Sequence, residues 1–272
     1  MMNVAGISRR SILRGAAALA LPRIEAMQDM QQYGLTALID GSAMVKISPG
    51  EFMMGSPNGN PDERPVHRVR ITKGFEMGKY EVTQAQWETV MTDPHAKAGA
   101  KLLSDQPSSR FKGMSLPIES VSWDDIQIFL KRINVRDEKH MYRLPTEAEW
   151  EYTCKAGGPS EIGLADSAWF KQNAGDKTQT VGTKKPNAWG LYDMHGNVSE
   201  WVADWYSADY YESSPADDPQ GPALGPQSGS YRVYRGGCWY HTSEYVRAAY
   251  RSFDFPISRF DSVGFRLVRT GK

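Results

Sequence analysis

The alternation of apolar and polar residues changes character several times along the chain, and each change predicts an element. From Met44 to Tyr80 the two kinds of residue alternate around turns such as "SPGE" (48–51) and "SPNGNPDE" (56–63), the pattern of short strands joined by loops. "HRVRIT" (67–72) reads as one of these strands and leads into "GFEMGKYEVT" (74–83). Thr83 is placed to cap a helix over "QAQWETVM", its hydroxyl accepting a free amide of the first turn. Ser122, with Asp125 three residues on, opens a second helix as a capping box; Trp123, Ile126, Phe129, Leu130 and Ile133 then recur on one face. Pro145 and Thr146 open a third in "RLPTEAEWEYTCKAG". Acidic residues fill its first turn, where the helix dipole favours them, and Gly157-Gly158 close it. Cys154 falls on the side of this helix that carries Trp150, which predicts a buried structural thiol.

Periodicity fails in two places and is replaced by something else in a third. Residues 158–188 read as loop and short strands, and 206–230, rich in Pro, Gly, Ser and acidic residues, as a surface excursion able to line a substrate groove. Between them lies "WGLYDMHGNVSEWVADW" (189–205), crowded with aromatics, glycines and carboxylates but with neither helical nor strand period. Its backbone is expected to be ordered by something other than a regular ladder. Asp193 and Glu200 stand at the two ends of "DMHGNVSE", and Gly196 lets the chain turn so that carbonyls face the same way. Mixed carboxylate and carbonyl oxygens are hard-cation donors, which points to calcium. The alternative is a Gly196-Asn197 turn between two strands with the tryptophans as core.

The N-terminus, "SRRSILRGAAALALP", has paired Arg9-Arg10 ahead of a weakly apolar run too short to span a bilayer. It predicts a twin-arginine export signal over 1–27, a linker over 28–40, and hence a periplasmic or extracellular location. An ordinary basic amphipathic N-terminus is the alternative.

Composition changes this picture little. The 272 residues, 40% hydrophobic and 24% charged, suit a soluble globular chain, and 32 basic residues balance 32 acidic ones. Nothing therefore favours nucleic acid or an anionic membrane as partner, and a monomer is expected. Eight Trp and thirteen Tyr imply a loop-rich fold held by aromatic packing. Two cysteines, Cys154 and Cys238, are too few for a disulfide framework.

"GLYDMHGNVSEW" resembles the hallmark of the formylglycine-generating enzyme family, also called the sulfatase-modifying-factor domain. Matching blocks follow in the family's order: "MVKISPGEFMMGS" (44–56), "KYEVTQAQW" (79–87), "LPIESVSWDDIQIFL" (116–130), "YRLPTEAEWEYTCKAG" (142–157) and "YRVYRGGCWYHTSEYVRAAYRS…VGFRLVR" (231–269). The resemblance implies a single domain over 41–272 with the irregular α+β fold of that family, related to C-type lectins. It implies calcium held by the side chains of Asp193 and Glu200 and the backbone carbonyls of Gly196 and Val198. Asn173 matches a ligand of a further calcium, although the acidic and aromatic positions that should accompany it do not align.

Members of the family that form formylglycine use copper(I) on two cysteines five positions apart, a soft-ligand site for a soft ion. This chain has no such pair. Between Gly236-Gly237 and Arg251-Ser252 it is also three residues shorter than those enzymes. Counting forward from the glycines puts His241 and Val246 at the copper positions; counting back from Arg251 puts Cys238 and Ser243 there. Copper-dependent formylglycine formation is therefore not expected. Cys238, His241 and Ser243 remain as candidate catalytic residues, since an imidazole beside a thiol can activate it. The alternative makes Cys238 a small packed residue and His241 an ordinary hydrogen-bonded imidazole. Two functions stand: an exported, oxidoreductase-like modifying enzyme acting on a peptide or peptide-derived substrate, or a non-catalytic, calcium-stabilised module that binds such a ligand.

Overall fold

A computed structural model describes residues 35–92, 109–156, 163–223 and 231–272. The export signal, residues 28–34 of the linker and Gly157-Gly158 lie outside them.

Three sheets carry the fold. The first is antiparallel, with β1 (Met44–Ile47), β4 (Phe75–Gly78), β10 (Val268–Gly271) and β5 (His140–Arg143) in that order. The second pairs β2 (Gly50–Met54) with β3 (His67–Ile71). The third runs β8 (Arg251–Asp254), β7 (Arg232–Arg235), β6 (Ser199–Trp205), β9 (Val263–Gly264), with β6 and β9 parallel. In β3 the alternation does what the pattern predicts: Val69 and Ile71 are buried while Arg68 and Arg70 face solvent.

The three long helices start where their caps predict. Thr83, Ser122 and Thr146 each accept a backbone N–H of the first turn, and Gln86, Asp125 and Glu149 reach back to complete the box. They open α2 (Gln84–Met91), α3 (Trp123–Arg136) and α4 (Glu147–Lys155), the last ending at Ala156 in left-handed conformation. Helices α2 and α3 enclose one core, in which Trp87 stacks on Phe129 at 5.3 Å and Phe265 meets both edge-on. Helix α4 faces a second core containing Met77, Trp150, Val202, Val233 and Val268. From the same helix Glu147 and Glu151 form buried ion pairs with Arg235, and Glu147 also with Arg251.

Four expectations need correction. Leu35–Asp40, read as linker, form a helix, α1, whose Leu35 and Leu38 enter the first core; Arg269 Nη1 donates to the carbonyls of Leu38 and Ile39, both at 2.9 Å. The domain therefore begins before residue 41. The region from 163 to 188 holds a short helix, α5 (Leu164–Ser167), and no strand among the described residues, only a bridge of Trp169 to Gly196. The second half of the aromatic-rich stretch is strand β6, central in its sheet; burial on both faces erases the alternation that would have marked it. The excursion after 206 is not wholly superficial. It contains α6 (Tyr210–Ser213), Tyr211 is 2% exposed, and Ala216 to Asp218 hydrogen-bond along β3.

Candidate cation and substrate site

The loop from Tyr192 to Val198 is shaped by left-handed backbone at Asp193 (φ 55°), Gly196 (φ 78°) and Asn197 (φ 54°). Such residues persist only where their surroundings over-determine them, and they concentrate at functional loops. At Gly196 the reason is visible. A Cβ there would lie 2.1 Å from the carbonyl oxygen of Trp169, which instead accepts from Asn197 N at 2.7 Å, while Gly196 N donates to Gly236 O at 3.0 Å. Asn197 is fully buried, its Nδ2 donating to Glu81 Oε2 at 2.7 Å and its Oδ1 accepting from Gln179 N at 2.9 Å. Val198 N donates to Glu81 Oε1 at 3.0 Å, so one carboxylate from the β4–α2 connection pins two successive residues of the loop.

Strand β6 carries Glu200 inward. Arg266, beyond β9, donates from Nη2 to Glu200 Oε1 at 2.7 Å and from Nε to Oε2 at 2.8 Å; Trp150 Nε1 donates to Oε2 at 2.7 Å. Asp193 is 2% exposed. Its Oδ2 accepts from Gly182 N at 2.6 Å, and its Oδ1 is buried without a partner. Three buried carboxylates, Glu81, Asp193 and Glu200, thus share the surroundings of one guanidinium. Burial, with the charges of Asp193 and Glu200 beside it, holds the Glu81 carboxyl well above its ordinary range. Burial likewise pushes Asp193 up to about 6, with Glu200 adding to the rise.

This arrangement fits a hard cation in charge and at Asp193, whose unpartnered Oδ1 is the donor such an ion would take. At Glu200 the fit is weaker, because both oxygens already accept from Arg266 and Trp150. Among the described residues no three His, Cys, Asp or Glu side chains stand as a metal-ligating group, so an ion here would rely on the carbonyls of Gly196 and Val198. Asn173 is occupied within its own turn, Oδ1 accepting from Phe170 N at 2.9 Å and Nδ2 donating to Ala168 O at 3.0 Å.

The other candidates follow β7. Gly236 and Gly237 both have positive φ and lead the chain into a compact turn in which His241 N donates to Cys238 O at 3.0 Å. That bond joins the two residues by backbone. The Cys238 side chain is 1% exposed and packs with Ala174 and Trp239. Burial pushes the thiol up to about 11, partly offset by hydrogen bonds from backbone and from Ser262 and Tyr240. His241 lies half-buried among Tyr240, Tyr245 and Tyr250, with ring centroids 4.7, 5.4 and 6.4 Å away. Its Nδ1 is buried without a partner, and burial holds its pKa below the usual value. Ser243 is exposed, and Tyr240 and Tyr245 present 45% and 40% of their surface to solvent. The structure brings Cys238, His241 and Ser243 into one turn and points them in three directions: inward, sideways into tyrosines, and outward.

Sequence reasoning missed Glu81, Arg266 and Trp150. Each lies inside a matched block, but the partner that gives it meaning is 50 to 117 residues away, in Trp150–Glu200, Arg266–Glu200 and Glu81–Val198, and local pattern carries no trace of that.

Comparison with known proteins agrees with this geometry. Residues 34–271 match the family described as sulfatase-modifying factor enzyme 1-like domain. The serine/threonine-protein kinase pkn1 of Chlamydia pneumoniae is 34% identical over 246 residues, covering 83% of this chain and only 38% of that protein. The formylglycine-generating enzyme of Streptomyces coelicolor is 28% identical over 288 residues, covering 82% of this chain and 88% of the enzyme. Among solved structures, PvdO from Pseudomonas aeruginosa superposes with a TM-score of 0.69 at 32% identity over 83% of this chain and 93% of its own. Treponema denticola variable protein 1 does so with a TM-score of 0.67 at 27% identity, over 83% and 94%. With an α+β fold, a single domain and a family match over nearly all its described length, the chain belongs to the sulfatase-modifying factor enzyme 1-like domain family.

Proposed function

We propose that this domain binds a peptide or peptide-derived ligand against the turn 238–250, with the hallmark loop stabilised by a calcium ion, and that it does not form formylglycine through a copper-thiolate centre. The observation that carries this reading is the burial of Cys238. A thiol 1% exposed and pushed up to about 11 supplies neither a ready thiolate nor an open copper ligand, and no second cysteine lies within the turn. What the turn does offer is the exposed faces of Tyr240 and Tyr245. Amphipathic rings of this kind supply contact area at low conformational cost. The unpartnered, buried Asp193 Oδ1 supports the calcium. The ion would supply charge to a loop whose carboxylates outnumber its guanidinium. Export by the N-terminal twin-arginine sequence belongs to the same proposal.

A modifying enzyme is the second reading, favoured by one observation. His241 Nδ1 is buried without a partner at the edge of the exposed tyrosines, as a group waiting for a substrate proton donor or acceptor would be. The likeness to proteins named as formylglycine-generating enzymes and to PvdO supports it too.

The experiment is alkylation of the folded, purified chain followed by mass mapping of Cys238. Labelling only in denaturant is the expected result and supports the binding module. Rapid labelling without denaturant would overturn it in favour of thiol chemistry. Calcium is tested separately: a chelator should lower the melting temperature of the wild type and leave Asp193→Asn unmoved.

A further inference from the structure

The rings of the turn 238–250 do not end at the turn. Tyr245 and Tyr250, 5.2 Å apart, both reach His241; from there contacts run to Tyr240 at 4.7 Å, on to Trp239 at 5.1 Å, and from Trp239 to Phe111 at 5.5 Å. One aromatic stripe thus joins the turn to the segment ahead of α3. A guanidinium sits at each end. Arg110 Cζ lies 5.1 Å from the centre of Phe111 and 6.0 Å from that of Trp239, and Arg247 Cζ lies 5.8 Å from that of Tyr250.

The two arginines differ in what else holds them. Arg247 donates from Nη1 and Nη2 to the two oxygens of Glu63, whose side chain is 0% exposed, and from Nε to Glu244 O at 2.6 Å. Letting go would strand a buried charge, so this cation is committed. Arg110 instead pairs through Nη1 with Asp261 Oδ2, and the two side chains are 60% and 30% exposed. An exposed pair of this kind contributes little and can exchange one carboxylate for another. Lys184 adds a second cation on the same side: its Nζ stands 4.1 Å from the centre of Trp169, which packs on the Cys238–Trp239 cluster as Phe111 does. At the Tyr245 end the exposed charge is acidic, that of Glu244. The stripe therefore has a direction, cations over aromatic faces at one end and a carboxylate at the other.

We propose that the ligand surface extends from the turn to Phe111 and takes an acidic peptide, whose carboxylate replaces Asp261 on Arg110 while a neighbouring apolar side chain lies on Tyr240. The inference rests on the peptide-binding reading above and adds to it the ligand's charge and its direction along the stripe. A guanidinium held over an aromatic face keeps its edge N–H groups for a planar acceptor, and the ring restricts its freedom before the ligand arrives. Phe111 acts in this surface as a support for Arg110 and as the far end of the aromatic contact.

The probe is an array of random-sequence peptides, capped at both ends, read with the labelled full chain at low and at physiological salt. The wild type should enrich Asp or Glu next to an apolar residue, with a signal that falls as salt rises. Arg110→Gln should weaken the acidic peptides about fivefold, and Arg110→Glu should turn the preference toward Lys and Arg. Asp261→Asn, which removes the competing carboxylate, should strengthen them, and decides the matter if an Arg110 variant does not fold. Tyr240→Ala combined with Tyr245→Ala should lose all peptides. Binding without acidic enrichment, or enrichment unchanged by Arg110→Glu and by Asp261→Asn, overturns the proposal and leaves the peptide-binding reading standing. Acidic peptides that still bind the double tyrosine variant overturn it too, because they bind elsewhere. An array on which nothing binds overturns both.

Discussion

Arg266 lies against Glu200 with Nη2 2.7 Å from Oε1 and Nε 2.8 Å from Oε2, and neither side chain reaches solvent beyond 1%. The other arm of the guanidinium donates to Gly78 O at 2.9 Å, and Nη2 also to Tyr192 O at 2.9 Å. One side chain therefore joins β4, β6 and the start of the hallmark loop. Removing one member of such a pair strands a buried charge, which costs more than the pair itself contributes. Arg266→Met should destabilise by about 3–5 kcal/mol, and Arg266→Met combined with Glu200→Gln by clearly less than the sum of the two singles. Urea unfolding of the three variants measures this; additive losses would mean that the two residues act apart.

Gly196 and Gly175 both have positive φ, +78° and +65°, but they differ in what surrounds them. An added Cβ at Gly175 meets nothing within 4 Å, whereas at Gly196 it meets the Trp169 carbonyl. Gly175→Ala should lose about 1 kcal/mol, from left-handed backbone alone. Gly196→Ala should lose at least about 2 kcal/mol more, because the loop must break its bridge to Trp169. Equal losses in thermal melts would show that the bridge contributes nothing.

His195 and Asp193 respond to acid in opposite senses. Burial depresses His195 to about 4, below the 6.5 of a free imidazole, so between these values the unfolded chain binds the extra proton. Its contribution to stability is present above pH 6.5 and is lost as pH falls toward 4. Asp193, raised to about 6 from 3.8, holds its proton in the folded state across nearly the same window, so its contribution grows as pH falls. In the wild type the two slopes largely cancel. His195→Gln should unmask the second, gaining roughly 1–2 kcal/mol relative to wild type between pH 6.5 and 4, after discounting for partial exposure of the ring. Stability curves measured without metal that stay parallel across this range would refute the assignment.

What was legible in the chain was local. Thr83, Ser122 and Thr146 announce their helices because the cap and its partner stand three residues apart, and the matched blocks place the fold because each carries its own small motif. Helical spacing alone predicts that Cys154 is buried, and it is. The misreadings share a cause. Leu35–Asp40 is a six-residue helix held by Arg269, more than 200 positions on, and Tyr211 is buried although its neighbours are polar. Strand β6 is buried on both faces and so lost its period. At the site, Asp193 and Gly196 could be found because turn chemistry marks them, whereas Glu81 and Arg266 are ordinary charged residues until the chain closes around them. Cys238 and His241 are neighbours in sequence, but the turn after Gly237 sends their side chains apart, which no spacing reveals.

Strand β10 lies between β4 and β5 in the first sheet, pairing with residues roughly 190 and 130 positions earlier. Without β10, β4 and β5 would each face a gap, and Phe265 and Leu267, just ahead of it, belong to the first core. The first sheet is thus closed by a long-range pairing, and a chain lacking Val268 to Gly271 would leave β4 and β5 with unpaired edges, the kind of surface on which strands of other chains add.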